Sequence, residues 1–218
     1  MYIPHAFAET DRTKLHDFIE QYSFGLLVSQ VDGLPFASHL PFLLERTAGP
    51  LGCLVGHMAR ANPQWRQAAG QTALAVFSGP HAYVSPTWYE AGQVVPTWNY
   101  TAVHVYGQVR VVEDRDTLLA IVQKSVQVYE QVMPRPWSLD GPTAFVERML
   151  AQIVGFRIEV EKIEGKWKLN QNHPAERRQK VIRALREQGG ENAQAVAAIM
   201  QAMLDSDDGR RRDDAHGA

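Results

Sequence analysis

The spacing of apolar positions changes period repeatedly along this chain. Leu15, Phe18, Ile19 and Tyr22 share one helical face, and Thr10 is placed to cap that helix. From Phe24 to Val31 the pattern becomes extended. Asp32-Gly33 is a two-residue hairpin signal, and Leu34 to Leu44 resumes the strand. A further strand is expected over Leu51–Met58. Asn62 then caps a short helix that Pro63 opens and Gly70 closes. Thr72–Ser78 reads as a strand ending at Gly79-Pro80. In Asn99–Val112, Val103, Val105, Val109 and Val111 alternate with Ala102, His104, Tyr106, Gln108 and Arg110. Gly107 inside that strand signals a bulge or a close backbone approach.

Asp114 or Asp116 caps a helix to about Val132, and Thr143 starts a shorter one. Ile153–Ile163 alternates as a strand, with a turn expected at Gly165-Lys166. Pro174 opens a basic amphipathic helix to Gln188, Gly189-Gly190 ends it, and a last helix covers Ala193–Leu204. Asp205–Ala218 has no apolar residue except alanine, which predicts a disordered tail. Six or more short strands at close spacing favour a small barrel, mainly β with flanking helices. The expected division is a barrel domain over 1–173, a helical extension packed on it over 174–204, and the tail over 205–218.

Composition narrows the function. The 218 residues carry 22 Lys and Arg against 24 Asp and Glu, so the surface as a whole is no nucleic-acid magnet. That balance is an average, because residues 157–188 hold nine basic and five acidic side chains. The one cysteine, Cys53, excludes an intrachain disulfide and a multi-cysteine zinc site, and reads as a buried small hydrophobe. His57 and His104 have no evident carboxylate partner, so no metal site is expected. No stretch is apolar for the roughly 20 residues a membrane helix needs, and the amino terminus lacks signal-peptide character. A cytoplasmic protein is expected.

Four segments carry candidate chemistry. Ser38-His39-Leu40-Pro41-Phe42 is followed by Gly56-His57-Met58-Ala59-Arg60-Ala61-Asn62-Pro63, where a strand enters a helix start. Free backbone N–H groups with Arg60 nearby suit a phosphate; the plainer reading is an ordinary cap with a solvated arginine. Phe77, Tyr83, Trp88, Tyr89, Trp98, Tyr100 and Tyr106 crowd seven aromatics into thirty positions. Such faces beside amides and hydroxyls suit a planar heteroaromatic ligand, or pack a core or dimer interface. Trp167-Lys168-Leu169-Asn170-Gln171-Asn172 places a cation and amides just after a strand. Ser38 and His39, adjacent on an extended segment, face opposite ways and cannot form a catalytic pair.

The order S-H-L-P-F, G-H-M-A-R-A-N-P-Q-W, G-P-H-A-Y-V-S-P-T-W-Y, V-P-T-W-N-Y-T-A-V-H-V-Y-G and K-L-N-Q-N resembles the PaiB-type FMN-binding negative transcriptional regulator family, over about residues 1–190. Asn170 departs from it, standing where some members carry a small hydroxyl. The resemblance implies a split β-barrel of the pyridoxamine-phosphate oxidase and flavin reductase kind, with C-terminal helices. It further implies a homodimer with FMN at its interface. By the same resemblance Ser38, His39 and Leu40 would line the flavin. His57, Met58, Ala59, Arg60 and Asn62 would surround the phosphate and ribityl chain, and Trp98, Asn99, Tyr100, Lys168 and Gln171 would complete the pocket.

Three functions compete on this reading: a flavin-binding regulator, a flavin-dependent oxidoreductase using the same pocket, and a haem-binding split barrel. Direct DNA contact rests on the helix Pro174–Gln188 through Arg177, Arg178, Lys180, Arg183 and Arg186, which otherwise reads as a solvated amphipathic helix.

Overall fold

Strands paired mainly antiparallel, with helices set between them, organise the chain. The computed structural model describes residues 1–90, 92–139 and 143–216, with side chains through Ser206. The strands are β1 (Ala8–Glu9), β2 (Phe24–Val31), β3 (Leu34–Pro41), β4 (Leu43–Glu45), β5 (Cys53–Ala59), β6 (Thr72–Val84), β7 (Thr97–Val112) and β8 (Ile153–Lys168). The helices are α1 (Arg12–Gln21), α2 (Gln64–Ala68), α3 (Arg115–Glu130), α4 (Ala144–Leu150), α5 (Ala175–Gln188) and α6 (Glu191–His216). Hydrogen-bonded neighbours follow the order β3-β2-β6-β7-β8-β5-β4, with β1 added to β8. The chain divides into two compact units, 11–77 with 103–164, and 1–10 with 78–102 and 165–218. Residues 165–173 thus group with the C-terminal helices.

In the larger unit, Asp32 (φ 53°) and Gly33 (φ 77°) turn the β2–β3 hairpin in a two-residue loop, with Val31 opposite Leu34. Gln67 on α2 fastens this turn: its Oε1 accepts from the Asp32 N–H at 2.7 Å and its Nε2 donates to Asp32 Oδ1 at 2.9 Å. Helix α1 begins one residue later than Thr10 suggests. Asp11 is the cap, because its carboxylate accepts from both Thr13 and Lys14 N–H, at 2.8 and 3.3 Å. The core centres on Phe42, whose ring meets Phe77 and Phe156 edge-on at 5.3 and 5.7 Å. Each such pair adds about 1 kcal/mol to the burial of its apolar area. Of the two readings of Gly107, the close approach holds: a Cβ there would lie 2.1 Å from the Glu159 carbonyl oxygen.

In the smaller unit, Val181, Ile182 and Leu185 of α5 and Val196, Ala197, Met200 and Leu204 of α6 form one core with Ala82, Val84, Tyr89 and Leu169. The two helices are joined through Gly189 and Gly190, both at positive φ. Helix α6 runs to His216, past the Leu204 boundary expected for it; of the tail, residues 217 and 218 lie outside the described residues.

Three strands differ from the sequence reading: Leu34–Leu44 divides into β3, paired with β2, and β4, paired with β5, while β6 and β8 run on past their expected ends. β6 continues through Gly79-Pro80 to Val84. Its buried positions change from Ala73, Ala75 and Phe77 to Pro80, Ala82 and Val84, so a shift of face at residues 78–79 hides the continuation from a strict period of two. β8 likewise continues through Gly165 and Lys166, which pair with Glu9 and Ala8 of β1 instead of turning. That partner strand lies near the opposite end of the chain, beyond any local pattern.

Candidate functional site

The residues singled out from the sequence fall into two groups, one in each unit. In the larger unit, β3 presents Ser38 half-buried, His39 exposed and Leu40 buried. The His39 ring stacks on exposed Phe24 at 6.1 Å. β5 is held in register by β8, with His57 opposite Gly155, Met58 opposite Val154 and Ala59 opposite Ile153. Met58 therefore enters the core, while His57 and Ala59 take the other face. The strand leaves that face at Arg60.

Asn62 joins the two strands' contributions. Its Nδ2 donates to Ser38 Oγ at 2.8 Å and its Oδ1 accepts from the Gln64 N–H at 2.9 Å. The helix begins at Gln64 with Pro63 at its cap, one residue later than expected, so Asn62 braces the turn that leads into it. Arg60 is fixed from several sides. Its Nη1 donates to Glu113 Oε1 at 2.8 Å, its Nε to the Ala151 carbonyl at 3.2 Å, and its guanidinium lies 5.8 Å from the Trp65 ring centre. Glu113 is a member of this group that no motif announced.

His57 is the unsatisfied member. Its Nδ1 is buried with no hydrogen-bond partner, and burial pushes the imidazole pKa below its ordinary 6.5. A buried ring nitrogen without a partner costs free energy, which a ligand's polar group can recover.

The second group lies on β7 and the end of β8. Alternation along β7 sends Trp98 outward and buries Asn99 completely, its Nδ2 donating to the Met200 sulfur at 3.3 Å. Asn99 thus packs into the helical core of its unit, where it holds the strand that carries Trp98 and Tyr100. Trp98 is 54% exposed, edge-on to Tyr83 at 5.8 Å and tilted against His81 at 6.2 Å. Tyr100 receives the Lys166 ammonium over its ring at 5.1 Å. Lys168 donates to Thr97 Oγ1 and, at 2.8 Å, to the Trp98 carbonyl. Burial first, and the neighbouring Lys166 charge second, lower its pKa. Gln171 braces the turn after β8, accepting from the Leu169 N–H at 2.7 Å and donating to the Trp167 carbonyl.

Each group, taken by itself, suits part of a phosphorylated planar cofactor. The larger unit offers an arginine held by Glu113, a hydroxyl–amide pair at Ser38 and Asn62, and the orphaned His57 nitrogen. The smaller unit offers exposed aromatic faces at Tyr83 and Trp98 beside the Lys168 cation.

Helix α5 is more occupied than a solvated face would be. Arg178 is buried, Arg177 lies 5.6 Å over the Tyr89 ring, and Lys180 pairs with Glu90 at 2.8 Å and Glu176 at 3.4 Å.

Comparison with known proteins agrees with this chemistry. The model of the family described as "Putative FMN-binding domain" matches residues 1–162. The chain is 37% identical over 207 residues to the Bacillus subtilis "Protease synthase and sporulation protein PAI 2", covering 94% of this chain and 98% of that one. Among solved structures, the flavocytochrome Anf3 from Azotobacter vinelandii aligns with a TM-score of 0.58 at 14% identity, over 75% of this chain and 70% of that one. The FAD and heme binding protein from Mycobacterium smegmatis aligns at 0.54 and 18%, over 84% and 80%. Both share the fold, a mainly antiparallel sheet with flanking helices of the split-barrel kind.

Proposed function

The chain belongs to the FMN-binding family whose model it matches, and from that premise we propose that it is a homodimeric FMN-binding regulator acting in the cytoplasm. The observation that carries the flavin assignment is His57, a buried imidazole with an unpartnered Nδ1, on the strand that delivers Arg60 and Asn62. In this reading Arg60 takes the phosphate, and Ser38, His57 and Asn62 take the ribityl hydroxyls. Trp98, Tyr100 and Lys168 are the smaller unit's own candidates for aromatic faces and a positive charge. When bound, the isoalloxazine supplies electron- and hydride-transfer chemistry. Glu113 keeps the Arg60 guanidinium in place, and burial keeps His57 uncharged near neutral pH, able to donate or accept one hydrogen bond.

The regulatory part of the proposal leans on the Bacillus subtilis relative, named for protease synthesis and sporulation. The engaged cations of α5 favour an output that does not pass through operator contact by that helix. The outward Phe24–His39 and Trp98–Tyr83 aromatics support a dimer, since such faces are usual at interfaces.

The test is direct. The purified protein should show flavin absorption, release FMN on denaturation, and run as a dimer by light scattering. Arg60→Ala should weaken FMN binding about 10- to 100-fold, the range for a hydrogen bond to a charged group, read by flavin fluorescence. A colourless protein that takes up no added FMN overturns the flavin reading. Unchanged affinity in the variant overturns the phosphate assignment, a monomer overturns the dimer, and operator binding lost in Arg183→Ala/Arg186→Ala overturns the regulatory route.

A further inference from the structure

The smaller unit contains a cavity that shares only Lys168 with the flavin reading. It has a volume of about 310 Å³, near the lower end of the roughly 300–1,000 Å³ typical of small-molecule sites. Phe7, Val94 and Val95 give it apolar walls, and Lys168, Asn170, His173 and Arg177 give it a polar side. Among the described residues that line it there are an arginine and a lysine and no aspartate or glutamate.

The polar side is a connected construction. The Asn170 Nδ2 donates to the Tyr89 hydroxyl at 2.7 Å, and the His173 ring stacks on Tyr89 at 5.2 Å. Arg177 lies over the other part of this cluster, its Nη1 at 3.0 Å from His173 Nδ1. Arginine can only donate, so Nδ1 is the acceptor and the proton of the neutral ring resides on Nε2. Burial, and then the Arg177 charge, lower the His173 pKa in agreement with that tautomer. His173 is therefore a donor as well.

Asn170 supplies the second, independent sign of a ligand. It is only 3% exposed, it lines the cavity, and its Oδ1 has no hydrogen-bond partner. It also holds a left-handed backbone, φ 62°, which sets the amide at this point in the turn after β8. An acceptor without a donor, next to two cations and an imidazole N–H, describes the complement of a particular molecule. It is negatively charged and carries one N–H or O–H of its own.

We propose that this cavity binds a small carboxylic acid bearing an amide N–H or hydroxyl, its carboxylate on Arg177 and Lys168 and its donor on Asn170 Oδ1. The apolar walls fit a short aliphatic portion, which makes an N-acylated amino acid the chemical class of best fit. The site is separate from the flavin assignment except that Lys168 serves both.

N-acetylglycine is the probe, titrated into the full-length FMN-loaded protein by calorimetry, with acetate and the cation N-acetylethylenediamine alongside. Saturable binding of N-acetylglycine is expected, with weaker binding of acetate, which lacks the N–H, and none of the cation. Arg177→Met should weaken it about tenfold or more. Asn170→Asp should do the same, because the new charge repels the carboxylate while aspartate still tolerates the turn. Both variants should keep the parent's FMN content, which separates loss of this site from loss of fold. The proposal is overturned if N-acetylglycine does not bind, if the cation binds as well, or if both variants keep parental affinity. It is also overturned if FMN and the probe displace each other mole for mole, which would make this cavity part of the flavin site and leave the flavin assignment standing.

Discussion

Gln64 in the larger unit and Asn170 in the smaller one are both buried amides whose oxygen receives no hydrogen bond. Their nitrogens part company. Gln64 Nε2 reaches the Leu27 carbonyl at 2.9 Å, Ser29 Oγ at 3.0 Å and the Phe36 carbonyl at 3.3 Å, and so ties α2 to the β2–β3 hairpin. Asn170 makes one such bond, to a tyrosine that itself lines a cavity. The unpaired oxygen of Gln64 is a cost carried by a structural brace; the unpaired oxygen of Asn170 belongs to a residue that lines a cavity. A missing partner therefore acquires functional meaning from what surrounds the group, not from the group alone.

That contrast can be broken from several sides. The largest effect is expected where the larger unit has no room at all. Gly107→Ala drives a Cβ into the Glu159 carbonyl, a backbone atom that cannot rotate away, and should destabilise the protein by about 3 kcal/mol in urea unfolding. Gln64→Leu strips three acceptors of their donor at nearly constant volume and should cost about 2 kcal/mol in the same assay. Asn99→Leu is the sharper counterpart. Its amide already lacks a partner at Oδ1 and donates only to a thioether, so the loss should stay within about 1 kcal/mol. Equal losses at Gln64 and Asn99 would dissolve the distinction between a brace and a tolerated amide.

The smallest effect is a slope. His57 is held neutral by burial, with its folded pKa below 6.5, so on acidification the unfolded chain takes up the proton first. Its contribution is whole above pH 6.5 and declines as pH falls from there to the folded-state pKa. His57→Gln in the flavin-free protein should flatten the fall in urea midpoint between about pH 7.5 and about pH 5.5. His104 and His173, also lowered chiefly by burial, sustain the remainder. An unchanged slope would mean that His57 is hydrated in solution.

Local rules account for a good part of the molecule. The Asp32-Gly33 hairpin, the Asp114 and Thr143 caps and the amphipathic faces of α1 and α5 each depend on a few neighbouring residues, and each is found where the pattern puts it. The motif order carried the flavin family as well, because the residues around Ser38, His57 and Trp98 keep their local sequence wherever the fold places them. Gly107 was legible as a special position, a bulge or a close approach, and the contact with the Glu159 carbonyl decides for the close approach.

Other features had no local signature. Whether β6 ends at Pro80 or shifts its buried face and continues depends on the strands beside it. The course of β8 through Gly165 depends on β1, and the burial of Asn99 depends on Met200, 101 residues later. Arg177 shows this most clearly. Its neighbours in the chain assign it to a basic helical face, whereas the fold lays it over Tyr89 and beside His173, on the rim of a cavity. Local sequence is enough for most of the elements, the family and the chemical types available. Which polar groups are buried together and which are left unpaired is set by packing, because burial and hydrogen-bond satisfaction depend on contacts between residues far apart in the chain.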